Sequence, residues 1–100
     1  MVVTPQAGVA SVITTGGTAV VAVNANPNGG IITNPLLATD QNIGTAEVLY
    51  VNAVTTAIAG AYGTTFALQP GQSWTIIPAQ NTATSVNAAT SGHKFSCVSW

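Results

Sequence analysis

Short apolar runs rich in Val, Ile and Thr are broken by Gly, Pro and Asn roughly every eight to twelve residues along this chain. β-Branched side chains suit a pleated, half-buried surface, and breaks at that spacing leave no room for a helix longer than a turn. The pattern predicts strands over residues 9–14, 18–24, 31–33, 45–54, 64–68, 73–77, 84–88 and 93–99. Between them stand Gly16-Gly17, Asn26-Pro27-Asn28-Gly29-Gly30, Asn34-Pro35, residues 60–63, Pro70-Gly71 and Ser91-Gly92, which allow positive φ or hold it near about −65°. Residues 36–39 are expected to form one helical turn. The fold class is therefore all-β, a small antiparallel β-sandwich or barrel of about seven to eight short strands.

The stretch from Phe66 to Ile76 carries a topological signal. Pro70-Gly71 specifies a type II turn, which fits the twist of a tight two-residue hairpin poorly. A tight hairpin would also put Phe66 and Leu68 on the face opposite Trp74 and Ile76. A bulged hairpin, or an arch carrying the chain from one sheet to the other, brings both sets into the core. The arch is the expectation.

Two strands are apolar on both faces: Val20 and Ala22 back onto Val21 and Val23, and Val48 and Tyr50 back onto Leu49 and Val51. A half-exposed antiparallel strand should alternate, so another subunit or a long loop covers the second face, or exposed Val is simply tolerated there. In the last strand Phe95 and Cys97 share one face, while Val98 and Trp100 share the other, so Trp100 is expected to project as a contact anchor. Residues 17–25 echo residues 44–53, an echo that a common strand recipe explains as well as duplication does. Residues 1–10, uncharged and with Pro5 disfavouring helix, read as an extended arm before a single β domain over 11–100. The arm either orders on docking or frays as a terminus. Val2, Val3, Pro5, Val98 and Trp100 are the candidate interface residues.

Composition sharpens this picture. Of the 100 residues 47% are hydrophobic and only 3% charged, the charges being Asp40, Glu47 and Lys94. Globular domains average about 25% charged residues. A net charge of −1 does little to keep copies apart, which suits a subunit and implies a homo-oligomer. One Lys cannot supply the counterion release that nucleic-acid binding needs, nor the polybasic attraction of an anionic membrane. Residues 1–23 lack a basic start, and residues 14–18 interrupt the apolar run, so the stretch reads as mature sequence. No run approaches the eighteen or so apolar residues of a membrane span. The single Cys97 excludes an internal disulfide.

The residues offer no catalytic constellation, and the chain is expected not to be an enzyme and to need no cofactor or metal. Asp40 and Glu47 are the only carboxylate side chains; Glu47 is expected to face solvent from a strand and Asp40 to cap or turn a loop. His93 and Cys97 lie four residues apart on a strand, roughly 13 Å, too far for a thiol–imidazole dyad. Cys97 is expected to be a small buried hydrophobe and His93 a polar strand-start residue. One His, one Cys and two carboxylates have no zinc-site spacing, and Gly16-Gly17 and Gly29-Gly30 lack the Lys-Ser/Thr of a phosphate loop. Tyr50, Tyr62, Trp74 and Trp100 are candidates for a sugar platform, although core or interface is the commoner fate of aromatics. The fifteen Thr residues include adjacent pairs whose side chains point to opposite faces, unlike a flat ice-binding array.

Residues 16–30, 46–52, 63–78 and 91–100 together resemble small β-rich virion proteins of tailed bacteriophages, as strand-and-turn text covering about half the chain. The resemblance implies a structural decoration or cement protein on the outside of the capsid, made in the host cytoplasm. It implies the major capsid protein as partner and an oligomer that is often a trimer. Two rivals predict different structures. A carbohydrate- or receptor-binding module of a phage fibre predicts Trp74 or Trp100 beside polar partners in a shallow groove. A bacterial surface subunit assembled by strand exchange predicts an incomplete sheet and a swapped terminal strand.

Overall fold

The computed structural model describes residues 4–25, 27–78 and 80–100. The fold is all-β, with eight strands among the described residues, in two four-stranded antiparallel sheets stacked as a sandwich. The strands are β1 (Gln6–Ala7), β2 (Val20–Val23), β3 (Gly30–Thr33), β4 (Leu49–Asn52), β5 (Phe66–Leu68), β6 (Ser73–Ile76), β7 (Thr84–Asn87) and β8 (Ser96–Ser99). The first sheet runs β1-β8-β3-β6 and the second β2-β7-β4-β5. Ile32, Ile76 and Cys97 of the first sheet meet Ala22, Leu49, Val51 and Val86 of the second in the core, with Ile13 and Phe95 from the connections.

The arch is present. β5 and β6 lie in different sheets, joined by a turn in which Gln72 N–H donates to the Gln69 carbonyl at 2.9 Å and Gly71 has φ +88°. That φ suits glycine and gives the type II turn. Phe66 and Trp74 then face each other across the sandwich, ring centroids 5.5 Å apart.

Several strands are shorter than their apolar runs. Residues 9–14 form only a bridge between Val12 and Lys94, because Val9 N–H goes to Ala22 O on the second sheet whereas Phe95 and Gly92 N–H come to Ser11 and Ile13 O. A segment crossing between sheets cannot build a ladder with either. β4 begins only at Leu49, since the Glu47 backbone is taken by the side chains of Gln41 and Asn34. The helical turn falls at Ala38–Gln41 (α1), two residues later than expected, and ends on Asn42 in the left-handed conformation. Of the expected N-terminal arm, Val2 and Val3 lie outside the described residues, Pro5 is exposed, and β1 pairs with β8. The two echoing segments supply β2 and β4, which flank β7.

Of the double-faced strands, β4 is covered from within the chain at Asn52, while Val48 and Tyr50 stay half-buried. The connection over residues 53–65 lies on the outer face of the second sheet, pinned by three buried polar side chains. Asn87 donates to Ala57 O at 3.1 Å, Ser85 Oγ accepts from Ala57 N at 2.7 Å, and Asn52 Nδ2 reaches the hydroxyls of Thr55, Thr64 and Thr65. Asn52 Oδ1 also accepts the N–H groups of Val54 and Thr55. In β2 a bulge between Val21 and Val23 turns both Ala22 and Val23 inward, leaving Val21 outside.

Candidate interaction surface

Among the described residues, no such cover lies on the outer face of the first sheet. Register places Ala7, Val98, Ile31 and Thr75 in one row across all four strands, and all four are exposed. Val98 is 41% and Ile31 42% exposed, high for neighbouring β-branched side chains in mid-sheet. The next outward row is Ser96, Thr33 and Ser73, with Thr33 and Ser73 hydroxyls 2.6 Å apart. None of these residues is charged.

Trp100 ends this face but does not project from it as expected. Its backbone continues the ladder, N–H to Gly29 O at 3.1 Å and C=O from Asn28 N–H at 2.6 Å. The half-buried indole lies over Gly29, where a Cβ would stand 2.8 Å from Nε1, so only glycine leaves it room. The ring also walls a cleft of about 240 Å³ with Gln6, Asn24, Pro27 and Ser99. Of the expected interface residues, Val98 and Trp100 thus share this side of the molecule.

The candidate chemical residues are drawn into structure instead. Glu47 does not face solvent: it is half-buried, and both carboxylate oxygens accept from Thr90 Oγ1, at 2.8 and 2.7 Å. Asp40 is exposed on α1. His93 precedes β8 and is fully buried, its Nε2 2.9 Å from Asn34 Oδ1. Asn34 Nδ2 is committed to the Glu47 and Leu68 carbonyls, so Oδ1 is an acceptor and His93 Nε2 carries the hydrogen. Gln41 completes the network, donating to Asn34 Oδ1 and Pro35 O and accepting from Glu47 N–H. Nδ1 of His93 is buried without a partner. Burial holds the imidazole below its ordinary value of 6.5, an effect the Glu47 charge partly offsets. Cys97 packs beside Ala22 O, away from the His93 network, and burial pushes its thiol up to about 11. Among the described residues no three His, Cys, Asp or Glu side chains are grouped to hold a metal, and no helix is long and apolar enough to cross a membrane.

Sequence reading missed Ala7, Ile31 and Thr75 as partners of Val98, because cross-strand register is not written in any one segment. It also missed the loop-pinning asparagines. Val-Asn-Ala recurs at residues 23–25, 51–53 and 86–88, but Asn24 is exposed while Asn52 and Asn87 are buried, so the motif alone does not mark a pinning residue.

No protein-family model, curated protein or solved structure matches the chain.

Proposed function

We propose that this protein is a structural virion protein of a tailed phage, a decoration or cement subunit that docks on the outside of the capsid and stabilises the shell. The observation that carries the reading is the row of Ala7, Val98, Ile31 and Thr75 beside Trp100 on the outer face of the first sheet, uncharged and, among the described residues, exposed. Contiguous apolar surface of this kind marks interaction sites, and a face without charge can be buried without desolvating an ion. The partner is the major capsid protein. Binding that favours the intact lattice over its separated subunits shifts the equilibrium toward the shell by mass action. The test is co-sedimentation with purified tailed-phage shells. The wild-type chain should pellet with intact shells and the double variant Ile31→Lys, Val98→Lys should stay in solution. A wild-type chain that never pellets overturns the reading.

A second reading, binding of a neutral saccharide or receptor glycan, is favoured by the Trp100 cleft. An indole wall beside the uncharged polar side chains of Gln6, Asn24 and Ser99 combines an apolar surface with amide and hydroxyl partners. Titration with a panel of neutral oligosaccharides, followed by tryptophan fluorescence, separates the two. A saturable change lost in Gln6→Ala supports the glycan reading, and no change across the panel removes it.

A further inference from the structure

A two-sheet sandwich has four edge strands, here β1 and β6 of the first sheet and β2 and β5 of the second. Open edges invite pairing with another chain, and proteins blunt them with short length, Pro, charge, bulges or cover. Three of these edges are blunted. β1 is two residues long and follows Pro5. β2 is bulged, and its Ala22 carbonyl is taken by Val9 N–H. β5 has three residues, runs into Gln69-Pro70, and gives its Leu68 carbonyl to Asn34.

β6 keeps the longest unbroken ladder of the four edges: Pro78 lies two residues beyond its end, as Pro70 does beyond β5, but no bulge or charge interrupts the strand itself. Ser73–Ile76 pairs with β3 in unbroken register, contains no charge and no Pro, and among the described residues no hydrogen bond reaches its free side. A second observation falls at the same edge. The Phe66–Trp74 pair that spans the two sheets between β5 and β6 is only half-buried, so two large aromatic side chains keep solvent contact there.

We infer that β6 is a self-pairing edge: two copies join antiparallel, β6 against β6, about a two-fold axis, making one eight-stranded sheet and completing the burial of Phe66 and Trp74. The occupant is a second copy because the edge is electrically self-compatible. Asp40 and Lys94 line a cleft that reaches Ser96, at the far end of the Ser96-Thr33-Ser73 row, and Glu47 is engaged by Thr90, so no charge sits on β6 itself or in the Ala7-Val98-Ile31-Thr75 row. Antiparallel pairing of identical strands is isologous and closes at a dimer. It would also set the two Val98-Ile31-Thr75 rows side by side as one larger surface, which deepens the assembly reading without depending on a shell. A ladder of four residues falls short of the roughly 1,200 Å² of a stable interface. The dimer is therefore a concentration-dependent equilibrium in solution, reinforced wherever many copies are held together.

Sedimentation velocity over a concentration series of the whole chain tests this, with hydrogen exchange of the β6 amides measured in parallel. The weight-average mass should climb from the 10.0 kDa monomer toward twice that value, and β6 amides should gain protection as it does. Thr75→Lys, at an exposed position, should keep the β-sheet circular dichroism and hold the chain monomeric. Val98→Lys, two strands away, should leave the dimer intact. Three results would each overturn the inference: a monomer at every concentration, a dimer that survives Thr75→Lys, or one abolished only by Val98→Lys. β6 protection that arises only with shells present assigns the edge to the capsid protein, which removes self-pairing while leaving the assembly reading standing.

Discussion

The outer faces of the two sheets differ in what the chain does with them. On the second sheet Asn52, Ser85 and Asn87 are buried under their own loop, and every one has hydrogen-bond partners there. On the first sheet the corresponding outward positions are Val, Ile, Thr and Ser, and among the described residues Val98 and Ile31 stay exposed. Buried amides with fixed partners thus mark the part of the outer surface that is closed internally, and exposed Val and Ile beside small hydroxyls the part left open. An amide buried on a sheet is stable only when its partners are fixed in place, so such a face is already spoken for. A Val or Ile on a sheet needs no specific partner, and any apolar surface of matching shape can cover it.

The largest test of this contrast is Asn52→Ala. It strands the backbone N–H groups of Val54 and Thr55 and leaves three threonine hydroxyls without their donor, at a cost of about 3 kcal/mol. At about 4–8 °C per kcal/mol for a domain this size, the melting temperature should fall by roughly 12–24 °C, with early proteolysis within residues 53–65. A melt within 3 °C or so of wild type would show that the loop is not held from below.

Next is Gly29→Ala, on the open side. The new Cβ collides with the Trp100 indole, and overpacking of this kind costs about 2 kcal/mol. Displacement of the ring should appear as a red shift in tryptophan fluorescence, read in a Trp74→Phe background to isolate Trp100.

Acid acts where the two sheets are joined, at His93. Its pKa is lowered in the folded chain, so between that value and the ordinary 6.5 the unfolded chain binds the extra proton. The stability contribution is full above about pH 6.5 and is lost as pH falls toward the folded pKa, because a proton on Nδ1 would be a buried donor without an acceptor. The melting temperature should therefore decline between pH 7 and pH 5, and His93→Gln should flatten that decline while lowering stability at pH 7. An equally steep decline in His93→Gln would place the acid response elsewhere.

Ile31→Thr should have the smallest effect on folding, within about 0.5 kcal/mol, since the side chain is already in solvent. The matching change in the core, Ile32→Thr, should be severe. A large loss from Ile31→Thr would mean that the open face is covered after all.

Much of the fold was legible along the chain because it follows from local chemistry. Alternation placed Phe95 and Cys97 inward and Val98 outward, and Pro70-Gly71 between two apolar sets specified an arch, since a tight hairpin would have exposed one of them. Strand lengths were less legible. Whether residues 9–14 or 93–95 extend a ladder depends on which distant carbonyl meets each N–H, and Ser11, Ile13 and Gln41 supply those partners from other parts of the chain.

The sequence by itself determined the β class, the turn positions, the near absence of charge and the inward or outward sense of most strand residues. These depend on the two-residue period of a strand and on side-chain chemistry, both local properties. Only the tertiary structure decided that Ala7, Val98, Ile31 and Thr75 stand in one row, that Asn52 and Asn87 close one sheet under a loop, that His93 is fully buried, and that β6 is the edge left open. Each of these is a statement about which strand lies beside which. Strand order and register join residues far apart in the chain, and no single segment contains that pairing.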